Sequence, residues 1–152
     1  GMGITFAGVD VNLRNISIFN NTFHDCSTAG LHFAAAPSES AFGSSELAVH
    51  RNIFSKLVGA EAIIEKGYDL KAFQKFVSSG TGGIQYNWSD RPTVANQTTE
   101  WEVILQPEQR VSAFQFVSTE SSSADFLRPG MPFPGFRPGG GSQPYPGAVK
   151  PK

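Results

Sequence analysis

The side chains best suited to chemistry are few, and most of them are uncharged. His24-Asp25 is an adjacent acid–base pair. An imidazole beside a carboxylate either moves a proton or binds at a groove edge, or else it makes a local hydrogen bond at a solvated corner. Three glycine-led strands supply a second set: Gly3-Ile4-Thr5-Phe6, Gly30-Leu31-His32-Phe33 and Gly83-Ile84-Gln85-Tyr86 each set a polar residue between apolar ones. Thr5, His32 and Gln85 exchange hydrogen bonds with hydroxyl groups without needing an anionic partner. His24, His32 and His50 follow no ligand spacing, so neither a metal site nor a cofactor is expected. The acidic residues are scattered and contain no Asp-Asp pair, which leaves little for a mechanism that uses two placed carboxyl groups.

The elements that must position these residues are written in a repeat. Asn21-Thr-Phe23 precedes Leu31-His-Phe33, Asn52-Ile-Phe54 precedes Ala62-Ile-Ile64, and Gln74-Lys-Phe76 precedes Ile84-Gln-Tyr86. The phenylalanine keeps one distance from the next apolar triplet while the linking residues change, so the constraint is geometric. A unit of this length cannot bury its apolar side until a neighbour stacks on it. The first two copies match further, with Ile16, Ile18 and Phe23 opposite Leu47, Val49 and Phe54. Apolar residues alternate with polar ones, the period of strands with one buried face. Asn-Asn and Arg-Asn interrupt each run where the chain must turn sharply, and asparagine tolerates the left-handed backbone such a corner needs. Each copy is therefore expected to run strand, corner, short strand, loop, strand. Phe23, Phe54 and Phe76 should share one internal column, and Asn21 should stack on Asn52. In the third copy Gln74 takes the asparagine site and Lys71 an apolar one, so that coil is expected to be distorted or to carry a helical turn over residues 70–76.

These residues resemble the parallel β-helix repeats of the pectin-lyase-like superfamily, over roughly residues 3–90. The resemblance implies an all-β, right-handed parallel β-helix, a solenoid of a few coils with an irregular C-terminal cap and a Pro/Gly-rich tail. It also implies a secreted or cell-surface protein that binds or processes polysaccharide, a lyase or glycoside hydrolase if it is an enzyme, with the catalytic coils upstream. The alternative is a structural or adhesive β-helix of a surface protein or fibre. In the superfamily's enzymes the substrate lies along one stacked sheet. Thr5, His32, Ile63 and Gln85 would then form an outward column, with His24 and Asp25 at its edge, facing a neutral or weakly acidic glycan. A uronate lyase of this superfamily needs a base, often Lys or Arg, and calcium-binding carboxylates, and this column contains no Lys, Arg or carboxylate.

The rest of the chain sets limits. Its 152 residues carry a net charge of −1, which gives no basic footprint for nucleic acid. No apolar run is long enough to span a membrane. The chain opens inside what looks like the last strand of a preceding coil, which suggests a fragment, stacking on upstream coils or self-association through the N-terminal coil. Cys26 is the only cysteine and stands where the second copy has Leu57, so a small, partly buried thiol is expected. Sequons at Asn15, Asn20, Asn87 and Asn96 carry little weight without a secretory signal. Residues 1–120 are expected to form the coils and cap. Residues 121–152, rich in Ser, Pro and Gly but punctuated by Phe126, Phe133, Phe136 and Tyr145, are expected to form a tail or a strap packed on the coils.

Overall fold

The computed structural model describes residues 1–6, 16–34, 47–65, 84–85, 87–91, 101–105, 109–110, 114–130 and 147. Those residues are all-β, with no helix among them. Eleven strands follow in order: β1 (Met2–Phe6), β2 (Ile16–Phe19), β3 (Thr22–His24), β4 (Ala29–Phe33), β5 (Leu47–His50), β6 (Ile53–Ser55), β7 (Ala60–Glu65), β8 (Ile84–Gln85), β9 (Trp88–Ser89), β10 (Trp101–Leu105) and β11 (Gln109–Arg110). They form three sheets, ordered β1-β4-β7-β10, β11-β9-β6-β3 and β2-β5-β8. Every pairing is parallel except the last of the first sheet, where β10 runs antiparallel to β7.

The register of the first two copies is the one the alternation requires. Ile16, Ile18 and Phe23 pair with Leu47, Val49 and Phe54, and Leu31 and Phe33 pair with Ala62 and Ile64. Hydrogen bonds continue through the bends as well: Asp25 N donates to Ser55 O at 3.1 Å, Val58 N to Cys26 O at 3.1 Å and Ala60 N to Thr28 O at 3.0 Å. Two left-handed corners recur one above the other, Asn20 (φ 55°) on Arg51 (φ 57°) and Asp25 (φ 57°) on Lys56 (φ 51°). Such backbone is unfavourable for Arg and Lys, so stacking overrides local preference here.

The third copy falls elsewhere than its spacing suggested. Ile84 and Gln85 pair with Val49 and His50, which makes β8 the first strand of the unit instead of the last. Trp88 and Ser89 then follow Ile53 and Phe54. Asn87, not Gln74, continues the asparagine corner, and Ile84, not Lys71, continues the apolar position of Ile18 and Val49. The place beneath Phe54 belongs to Ser89 rather than Phe76. Phe76 and the expected helical turn over residues 70–76 lie outside the described residues.

The core gathers Ile18, Phe23, Leu31, Phe33, Val49 and Phe54 with their neighbours, and Cys26 packs against it beside Leu57. Burial pushes the Cys26 thiol up from its ordinary value, Asp25 adds to this, and the amino terminus opposes it. Phe23 stacks on Phe54 with centroids 4.9 Å apart, and Phe6 on Phe33 at 4.7 Å. Gly30 makes the first of these columns possible, because a Cβ there would lie 2.6 Å from the Phe54 ring. An arch over residues 114–130 lays Phe114 and Phe116 against Ile53 and Trp88. It is held by Val117 N donating to Arg128 O and Leu127 N to Ser118 O, both at 2.8 Å.

Candidate functional site

Asparagine side chains define the corner beside the site. Asn52 Oδ1 accepts from Asn21 N and Nδ2 at 3.0 and 3.1 Å, and Asn87 Oδ1 accepts from Asn52 N and Nδ2 at 3.1 and 3.0 Å. Asn52 Nδ2 also faces the Ile18 carbonyl at 2.9 Å, and Asn87 Nδ2 donates to Val49 O at 2.7 Å. The ladder extends the expected Asn21–Asn52 stack by one member. Asn87 is fully engaged and only 1% exposed, so its sequon cannot act as a glycan acceptor in the folded chain.

The five residues expected to line a site are spread over three sheets. Thr5 does lie beside His32, and His32 beside Ile63. Thr5 is exposed, but His32 and Ile63 are buried, so this column presents no open groove along its length. Gln85 belongs to a different sheet, next to His50 in register, which corrects its assignment to the Thr5–His32 column. His24 ends β3 on the remaining sheet, and Asp25 occupies the exposed corner after it.

The His24 corner brings together residues of three copies. His24 pairs in register with Ser55, Ser55 Oγ donates to Asp90 Oδ2 at 2.8 Å, and the Lys56 amide donates to Asp90 Oδ1 at 2.9 Å. The residue types are those of a nucleophilic triad, but the order is not. A triad needs the histidine between hydroxyl and carboxylate, so that the imidazole can take the hydroxyl proton. Here the serine occupies the middle and spends its proton on Asp90. His24 makes a T-shaped contact with Phe116 from the arch, with centroids 5.4 Å apart and rings at 84°, and its buried Nδ1 has no hydrogen-bond partner among the described residues. Burial lowers its pKa from the ordinary value and Lys56 adds to this, against the opposing pull of Asp25 and Asp90. The corner is built to hold the arch in place.

Two of the three outer faces are therefore closed. On β3-β6-β9 the arch covers Ile53 and Trp88, and on β1-β4-β7 the outward residues His32 and Ile63 are buried. The face of β2-β5-β8 differs. Phe19 is 53% exposed and stacks on His50, with centroids 5.3 Å apart and rings 7° from parallel. Gln85 occupies the next register position. Exposed Ser17 and half-buried Ala48 lie two residues before Phe19 and His50, giving a ledge of small side chains beside the aromatic ridge. Arg51 Nη1 donates to His50 Nδ1 at 3.0 Å. A guanidinium cannot accept, so Nδ1 carries the lone pair and Nε2 carries the proton. Burial lowers the His50 pKa from its ordinary value, and Arg51 lowers it further.

This arrangement suits stacking and hydrogen bonding more than bond cleavage. Asp90 is engaged with Ser55 and Lys56, and Glu61 with Ser89 and Arg91. Among the described residues no group of three or more His, Cys, Asp or Glu side chains could hold a metal ion, and no helix is long and apolar enough to cross a membrane. Phe19, His50 and Arg51 belong to no motif that marks them in the sequence, although aligning ISIFNN with LAVHRN sets Phe19 opposite His50. Comparison of the chain with protein-family models, curated proteins and solved structures finds no match.

Proposed function

We propose that the chain is part of a right-handed parallel β-helix of the pectin-lyase-like kind, which works outside the cell and binds polysaccharide on the outer face of β2-β5-β8. The three stacked sheets and the asparagine and phenylalanine ladders support that architecture. The carrying observation for function is the exposed Phe19 ring set parallel on His50. An aromatic face attracts the C–H side of a sugar ring through dispersion and its quadrupole, while polar groups at its rim take the hydroxyls. His50 presents an Nε2 proton, Arg51 supplies further donors, and Gln85 follows at the adjacent register position. Successive strands are separated by about 4.8 Å, so a chain of sugars running across the strands meets the platform repeatedly. The role is binding without turnover, and the favoured ligand is a neutral or weakly acidic glycan.

Affinity electrophoresis against hydroxyethyl cellulose, galactomannan and polygalacturonate tests this. Retardation by a neutral polymer that is lost in Phe19→Ala, and weakened in His50→Ala, is the expected result. Failure to bind any of the three, or unchanged binding in Phe19→Ala, overturns the glycan reading in favour of a structural or adhesive β-helix. Release of unsaturated ends from polygalacturonate overturns the claim of binding without turnover.

A further inference from the structure

Phe19 and His50 are each followed by a left-handed corner residue, Asn20 and Arg51. One distant residue is seated on both corners. Gly147 N donates to Arg51 O at 2.9 Å, and its carbonyl lies 3.5 Å from Asn20 Nδ2, 127 positions away in sequence. The contact is specific for glycine. Gly147 has φ +84°, and a Cβ there would come within 2.6 Å of Ile53 Cδ1 and 2.9 Å of Thr22 Oγ1. Ile53 and Thr22 belong to β6 and β3, so the glycine lies in the groove between two coils at the point where both chains turn away from the platform.

A sugar-stacking platform is useful only if its rings keep their spacing and tilt, because order established before binding lowers the cost of binding. The Phe19 and His50 rings are on neighbouring strands, and nothing in a parallel pairing alone fixes two exposed or half-exposed side chains to within 7° of parallel. The Arg51 guanidinium helps by donating to His50 Nδ1. Its own direction depends on the corner backbone, which Gly147 holds. We propose that Gly147 is a positioning residue for the glycan-binding face, a clamp that fixes the Asn20 and Arg51 corners and through them the Phe19–His50 stack. This rests on the reading of that face as the binding site, but the geometry it predicts is measurable without a ligand.

The test uses the full chain with Gly147→Ala, and Gly147→Ala combined with Ile53→Val, which deletes the nearest obstructing atom. Three readouts are taken: the melting temperature, the NMR titration of the His50 imidazole, and retardation by hydroxyethyl cellulose and galactomannan. In Gly147→Ala the His50 titration is expected to move up toward its ordinary value as the guanidinium leaves Nδ1. Retention on the neutral polymers should fall about tenfold, the equivalent of one lost hydrogen bond. The double variant should recover part of both effects, which a general loss of stability would not produce. A His50 titration and polymer retention unchanged in Gly147→Ala, with the amide at position 147 stripped of its exchange protection, would overturn the clamp. Failure of both variants to fold would overturn it too, by making Gly147 a residue of general stability. If the unmutated chain binds no polymer while the His50 titration still shifts, the clamp on the rings stands and the glycan reading falls.

Discussion

The interior changes character between one stacked repeat and the next. Around Phe23 and Phe54 it is apolar, with rings stacked at 4.9 Å and Gly30 leaving room for the lower ring. One repeat further, Ser89 replaces the phenylalanine and Glu61 replaces the glycine. Both exchanges are needed together. A carboxylate at position 30 would collide with Phe54, whereas at position 61 it finds the Ser89 hydroxyl at 2.7 Å and Arg91 Nη1 at 3.3 Å. Glu61 is wholly buried and Arg91 8% exposed. On the first sheet the polar pocket coincides with the end of parallel pairing, since the next strand against β7 is the antiparallel β10, whereas β9 is still followed by the parallel β11. A ring column can be extended by any further ring, but a buried carboxylate must have each oxygen satisfied by a particular partner. The apolar repeats are therefore built for repetition, and the polar one for ending the parallel pairing of the first sheet.

The most disruptive single change should come from the apolar side. Phe54→Ala removes a fully buried ring that stacks on Phe23 and fills the space beside Gly30, at an expected cost of about 3–5 kcal/mol. Arg91→Ala should follow at about 3 kcal/mol, because it leaves the Glu61 carboxylate buried without its counter-charge. Denaturant unfolding of the two variants measures both. The contrast sharpens with Arg91→Met combined with Glu61→Gln, which removes both charges and should recover much of the Arg91→Ala loss. If Arg91→Ala proves harmless, the termination argument fails.

The corner ladder joins the two regions, and its central member should matter most. Asn52 accepts two hydrogen bonds from Asn21 and donates toward Ile18 O and Asn87 Oδ1, whereas Asn21 is an end member with fewer partners. Asn52→Ala is expected to cost about 2 kcal/mol and Asn21→Ala about 1 kcal/mol, since unmade buried hydrogen bonds carry the penalty. Equal losses at the two positions would show that the corner backbone, not the side-chain ladder, supplies the stability.

Where the amino-acid pattern was legible, two copies shared both alternation and corner chemistry. Ile16-Ser-Ile-Phe-Asn-Asn and Leu47-Ala-Val-His-Arg-Asn align position for position, with apolar residues and the final asparagine in the same places, and their register follows directly. The third copy was hidden by a coincidence of spacing. Phe76 stands at the repeat distance before Ile84, while the true marker, Asn87 followed by Trp88 and Ser89, lacks the phenylalanine because that position had become polar. Misplacing this copy carried Gln85 onto the wrong sheet. Which outer face stays open was not legible either, since the arch and Gly147 reach the coils from far along the chain.

The smallest expected effect concerns pH and separates the outer histidines from the interior. His24 and His50 both have pKa values lowered chiefly by burial, so the unfolded chain binds protons more readily than the folded one. Stability should be level above the ordinary histidine value, about 6.5, and should decline as pH falls from there through the lower folded values. His24 carries a second consequence, because its protonation places a charge in the partly buried contact with Phe116 and beside Lys56. The arch should therefore loosen before the ring columns do. Hydrogen exchange at pH 5 and pH 7.5 would show this as earlier loss of protection at Val117 and Leu127, whose amides hold the arch together, than at Phe54. Replacing His24 with Gln should remove most of that difference and leave the protection of Phe54 unchanged. If protection at the arch and at Phe54 declines together in both forms, the two regions unfold as one unit, and the distinction between a repeating core and its attached strap disappears.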